Sequence, residues 1–151
     1  MSRRGDVLVV GAGPVGMMAA LSLQHAGLAV EVIDEAPRRA GRSYAVGLHP
    51  RSVLLLDRLG ALDPLLPFAQ RIDGVTLTGD GEERRVSLRG LPASHDWGLA
   101  VPQSRLEEVL ERVLRQCGIT IGWNERLREL DADVDRPALP GLGAGAKRAA
   151  H

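Results

Sequence analysis

With 151 residues, 44% of them hydrophobic, and 19 Lys and Arg balanced by 19 Asp and Glu, the chain is sized to bury one modest core. The balanced charge supplies no basic field for nucleic acid or an anionic membrane, and neither partner is expected. The apolar runs Val7 to Val10 and Val53 to Leu56 fall far short of the roughly 20 residues that span a bilayer.

The N-terminus Met1-Ser2-Arg3-Arg4 leads straight into a strand-like run, without the apolar region and cleavage site of a signal peptide. Cys117 is the one cysteine, which fits a reducing compartment and is expected as a small buried residue. Cytoplasm is the predicted location.

In chain order, Asp6 to Val10 predicts a short apolar strand, broken at Gly11. Pro14 to His25 predicts a helix, with Pro14 in the first turn, where its missing N–H costs nothing, and Gly27 as the stop. Leu28 to Ile33 predicts a second buried strand ending in Asp34-Glu35. Strand, glycine turn, helix and strand within about 30 residues make a βαβ unit. Ala36 to His49 has no periodicity and reads as a long loop, a feature usually functional or mobile.

Pro50 to Leu59 predicts a helix with Val53, Leu54, Leu56 and Leu59 on its apolar side, stopped by Gly60. Gly74 to Thr78 and Arg84 to Leu88 predict a hairpin turned at Gly79-Asp80-Gly81. Ser104 to Gln116 predicts a second clear helix, because Leu106, Val109, Leu110, Val113 and Leu114 recur at helical spacing. Ile119 to Trp123 is expected to return to the sheet as a parallel strand, and Arg126 to Leu130 to begin another. Past Asp131 the sequence offers almost nothing to bury, and a disordered tail is expected over 131–151.

The chemistry sits in Gly11-Ala12-Gly13-Pro14-Val15-Gly16, a G-x-G-x-x-G run that follows a strand and opens a helix. Asp34 follows at the end of the next strand, the context that the dinucleotide fingerprint requires. Gly11 allows the tight turn, Gly13 lets a pyrophosphate approach the main chain, and Gly16 lets helix and strand pack closely. The helix N-terminus adds free N–H groups and about half a positive charge. Asp34 is expected to accept the hydroxyls of a ribose and to repel a 2′-phosphate. Both FAD and NAD carry the same ADP group, so the glycines do not separate them.

GAGPVG with Pro at its fourth position, then VEVIDEAP, GLHPRSVLLLDRLG and VPQSRLEEVL, together resemble the aromatic-ring-hydroxylase family of FAD monooxygenases, related to 4-hydroxybenzoate hydroxylase. The resemblance covers roughly residues 6 to 130. It implies an α/β fold: a Rossmann-like FAD/NAD(P)-binding βαβ domain over 1–130, with a parallel sheet and a small β-hairpin insertion, incomplete as it stands. It also implies FAD as cofactor, NAD(P)H as co-substrate and an aromatic small molecule as substrate.

In that family an acid after the second strand holds the adenosine ribose and maps to Asp34. Glu35 is expected either along the adenine or ribose edge or as an exposed acid after the strand. A loop Arg on the diphosphate side finds its counterpart in Arg42, although the family places its Arg directly before the Ala-x-Gly step, where this chain has Tyr44. A Gln opening the long helix maps to Gln103, with Arg105 nearby. Ordinary readings stand beside these: Arg42 and Arg51 as solvated loop charges, Gln103 as a helix-start residue, Ser104 as an N-cap with Glu107 as its capping-box partner.

His49 and His95 lack companions at metal spacing, so no metal is expected. No side chain is assigned as a catalytic acid or base. No Gly-Asp-Ala run occurs in the chain, and its Asp-Gly pairs, Asp73-Gly74 and Asp80-Gly81, flank and turn the predicted hairpin instead of forming the family's later signature; a truncated or frameshifted gene product is expected. Two other functions fit the fingerprint: an NAD-dependent dehydrogenase fragment, and a non-catalytic remnant that binds nucleotide or a partner.

Overall fold

The computed structural model describes residues 5–39, 44–89, 96–130 and 146–150. They divide into two compact units, one of residues 1–40 and 114–151, the other of 41–113.

The first unit is built on a parallel sheet. Strand β1 (Val7–Val10), helix α1 (Pro14–His25) and strand β2 (Val30–Asp34) form the βαβ unit read from the sequence, and β8 (Ile121–Trp123) joins on the far side of β2. The order is β1-β2-β8, with Val10 opposite Ile33 and Asp34 opposite Trp123. Helix α1 lies on β1 and β2. It buries Met17, Ala20 and Leu21, whose i, i+3, i+4 spacing makes one face of a helix. Gly16, in its first turn, lets the helix sit close to β1. Val32 and Ile33 are buried in the sheet.

Two further strands close this unit. β9 (Glu125–Leu130) pairs antiparallel with β10 (Ala146–Ala150), so the backbone at 146–150 is a strand where the sequence suggested a tail. Lys147 and Arg148 stand side by side among alanines, so the segment carries no hydrophobic period to mark it as a strand. Residues 131–145 lie outside the described residues.

The second unit holds a separate antiparallel sheet of β3 (Ala45–Leu48), β4 (Gln70–Ile72) and β7 (Gly98–Pro102), in the order β3-β7-β4. Central β7 buries Leu99 and Val101, and α2 (Pro50–Arg58) packs on it. In α2, Val53 and Leu56 are fully buried, while Leu54 and Leu59 are half-buried. His49 caps this helix, its Nδ1 accepting the Arg51 N–H at 3.2 Å. A 3₁₀ turn over Leu66–Phe68 leads into β4.

The hairpin of β5 (Gly74–Gly79) and β6 (Glu82–Ser87) forms where the sequence placed it. Asp80 and Gly81 both have positive φ, 50° and 80°, as a two-residue primed turn demands. Val75 and Val86 face each other across it, yet they and Leu77 stay exposed. At the hairpin's base the Leu88 N–H donates to the Asp73 carbonyl at 2.9 Å. Arg71 Nε donates to the Asp73 carboxylate at 2.7 Å, which holds that carboxyl below the ordinary carboxylate range, with Arg89 adding to the effect.

Helix α3 (Gln103–Gln116) starts in the second unit, and its residues from Leu114 belong to the first. Its stripe of Leu106, Val109, Leu110, Val113 and Leu114 is buried as the spacing predicts. Each such Leu contributes roughly 1.5–3 kcal/mol on burial. The helix begins at Gln103, so Ser104 lies inside its first turn rather than ahead of it. Cys117, expected to be buried, is exposed just past the helix end, because the chain reverses there through Gly118 at φ 80°. Among the described residues, no helix is long and apolar enough to cross a membrane.

Candidate functional site

The turn between β1 and α1 is set by two glycines. Gly11 adopts φ 106°, a conformation that an L side chain rarely takes. Its N–H donates to the Ile33 carbonyl at 2.8 Å, which ties the turn to β2. At Gly16 an added Cβ would collide with the Gly11 carbonyl oxygen, so only hydrogen fits where the helix crosses the strand.

Gly13 is different. A Cβ there would meet no protein atom within 4 Å, so protein packing does not explain this glycine, whereas a ligand lying against the main chain would. Gly13 is the N-cap of α1 and offers no side-chain cap, and Pro14 has no N–H to give. The Met17 N–H is taken by the Gly13 carbonyl at 3.0 Å. The amides of Gly13, Val15 and Gly16 donate to no acceptor among the described residues. Three free N–H groups at the positive end of a 12-residue helix make an anion cradle. Val15 is 84% exposed and Ala12 only 3%, so the turn projects one residue outward and packs the other inward.

Asp34 does more than its sequence position suggests. Its Oδ2 accepts the Ala12 N–H at 2.6 Å and its Oδ1 accepts the Ala36 N–H at 2.8 Å. One carboxylate therefore staples the glycine turn to the turn after β2. Each oxygen keeps a second lone-pair direction, so hydroxyl donors of a ribose can still be received.

Glu35 is exposed and accepts from Arg126 Nε of β9 at 2.8 Å. This partner, 91 residues away, carries no local sequence signal and was missed. Arg42 lies outside the described residues.

Gln103 belongs to the second unit. Its main-chain N–H donates to the Tyr44 carbonyl at 2.8 Å, and its Nε2 donates to Glu107 Oε1 at 2.8 Å. Glu107 is 3% exposed, a burial that the charge pattern of the helix conceals. Gln103→Leu is expected to strand that carboxylate and to cost about 1–3 kcal/mol of stability. The double variant Gln103→Leu, Glu107→Leu should recover most of it, and denaturant midpoints of the three chains check this. Arg105 is spent on Glu108 at 2.8 Å and on the ring of Phe68, 4.8 Å from its centroid.

Among the described residues no group of three or more His, Cys, Asp and Glu is placed to hold a metal.

An open amide cradle at a helix N-terminus, with an acid at the end of the next parallel strand, defines a dinucleotide-binding βαβ domain. The chain belongs to the FAD binding domain family, which it matches over residues 4–143. FAD is the family's cofactor, and the residues fit it: the amides of Gly13, Val15 and Gly16 would hold the diphosphate and Asp34 the ribose. When bound, FAD supplies the redox chemistry, and the protein's part is to bind and orient it.

The chain is 31% identical over 134 residues to 6-methylpretetramide 4-monooxygenase of Streptomyces rimosus, covering 87% of this chain and 24% of that enzyme. It is 35% identical over 118 residues to a menaquinone reductase of Mycolicibacterium smegmatis, covering 78% and 28%. Among solved structures it superposes on a ternary complex of aklavinone-11 hydroxylase with FAD and aklavinone at a TM-score of 0.75. The identity there is 27%, over 99% of this chain and 30% of that one. The chain thus spans about a quarter of the length of the curated relatives it matches.

Proposed function

We propose that residues 1–130 hold the ADP part of FAD in a cytoplasmic flavin-dependent monooxygenase acting on an aromatic or polyketide-like ring. The observation that carries this reading is the glycine turn: it leaves three amides free beside a Gly13 that the protein itself has no need of. The reaction converts a ring C–H, O2, NAD(P)H and a proton into a ring C–OH, water and NAD(P)+. No side chain of this chain is assigned a proton-transfer role in it. Arg42 and Gln103 are proposed as further FAD contacts on the strength of the family resemblance, and Glu35 as part of the adenine or ribose edge.

The menaquinone reductase among the relatives supports a second reading, in which the same domain serves flavin reduction of a quinone without oxygen insertion. Oxygen uptake that accompanies NAD(P)H oxidation separates the two.

The cofactor assignment has a direct test. The purified chain, incubated with FAD and desalted, is expected to keep a visible flavin spectrum, and NAD is expected to bind weakly or not at all in a parallel titration. Tight NAD binding with no retained flavin would replace the assignment by a dehydrogenase one.

A further inference from the structure

The strands of the parallel sheet end side by side in the order β1, β2, β8. Ligands of open α/β sheets lie outside the C-terminal ends of the strands, and neighbouring strands are about 4.8 Å apart. A nucleotide laid across this edge meets the strands in turn. Its diphosphate belongs at the amides that follow β1, and its ribose at Asp34 on β2. The next group along the molecule, the base, then comes to the end of β8.

The residue there is Trp123. It is the register partner of Asp34, so the two side chains rise from the same face of the sheet. Trp123 is half-buried, and its indole N–H has no acceptor among the described residues. The turn that carries it is braced on the turn after β2. The Asn124 N–H, at a residue with φ 63°, donates to the Ala36 carbonyl at 2.9 Å. Ala36 in turn donates to Asp34, and Arg126 donates to Glu35. Main chain and ion pair together brace the turn that carries this large aromatic residue one strand beyond the ribose acid.

We infer that Trp123 is the wall on which the purine of the ADP group stacks. This rests on the nucleotide-binding reading above and adds to it the residue that grips the base. Stacking on an aromatic face uses the π surface that every base presents and needs no hydrogen-bond readout. The wall therefore raises affinity for ADP and FAD while giving nothing to a sugar phosphate without a base.

The test uses the full chain. Trp97→Phe keeps a ring under Arg71, which lies 5.1 Å from the Trp97 centroid, and leaves Trp123 as the sole indole. Titrating this variant with ADP should change Trp123 emission, and ribose 5-phosphate should not. By calorimetry, Trp123→Ala should weaken ADP binding by about tenfold, the size of one lost base stack. Trp123→Phe should stay within about threefold of the parent, since it keeps an aromatic face. ADP binding with Trp123 emission unmoved, or a Trp123→Ala chain that binds as the parent does, overturns the inference and leaves the nucleotide site standing. A parent chain that gives no heat with ADP overturns both.

Discussion

Replacing Gly16 by Val is expected to abolish flavin retention and to lower the melting temperature of the chain. A Cβ at this position meets the Gly11 carbonyl oxygen, and that carbonyl has little room to retreat, because the Gly11 N–H is bound to β2. Helix α1 must then move off the strand, and overpacking of this kind costs about 1–3 kcal/mol, sometimes more. Gly13→Ala makes the contrasting case. Its methyl meets no protein atom, so the melt should be unchanged, while the methyl takes up the space in which the diphosphate would lie. Thermal melts and the flavin absorbance left after desalting distinguish the two. Full FAD retention by Gly13→Ala would remove the cradle from the argument.

The second large effect is expected at Asp34. Asp34→Ala deprives two main-chain N–H groups of their acceptor, one of them on the buried residue Ala12. An unsatisfied buried donor costs about 1–3 kcal/mol. The variant should therefore be destabilised before any ligand is added, and it should also lose FAD. Asp34→Asn retains one acceptor oxygen and should fall between parent and Asp34→Ala in both respects. Denaturant unfolding of the ligand-free chains reads the stapling role alone, and desalting after FAD reads both roles together. Equal midpoints for parent and Asp34→Ala would reduce Asp34 to a ligand contact.

The parts of the fold legible in the sequence are those whose signals are local. The glycine turn, Pro14 and the run from Val7 to Val10 mark the βαβ unit, and the apolar stripe of α3 marks its own buried face. The hairpin announced itself through Asp80-Gly81. The antiparallel sheet of β3, β7 and β4 did not, because its strands are three to five residues long and carry Gly, Ala and Pro. Such strands show no period, and their pairing is decided by partners far along the chain. Leu99 and Val101 alternate about Ala100 in β7, a span too short to mark a strand by itself.

The site divides in the same way. Gly11, Gly13, Gly16 and Asp34 could be placed from spacing. That Asp34 accepts from Ala12, that Glu35 is matched by Arg126 and that Trp123 stands in register with Asp34 all depend on tertiary pairing, which no window of residues contains. The partner of Gln103 lies only four residues away, yet the sequence offers Glu107 as a capping-box partner of Ser104, and its burial shows only in the fold.

The β5–β6 hairpin has a consequence for handling the protein. Among the described residues no third strand joins it, so the outer rungs of both strands present main-chain donors and acceptors without a sheet neighbour. Val75, Leu77 and Val86 are exposed alongside. Open edges of this kind are templates for strand addition between molecules. The charges of Glu82, Glu83, Arg84 and Arg85 along β6 oppose this by keeping that edge solvated. Self-association through the hairpin would thus grow with concentration and with ionic strength, as salt screens those charges while leaving the apolar contacts intact.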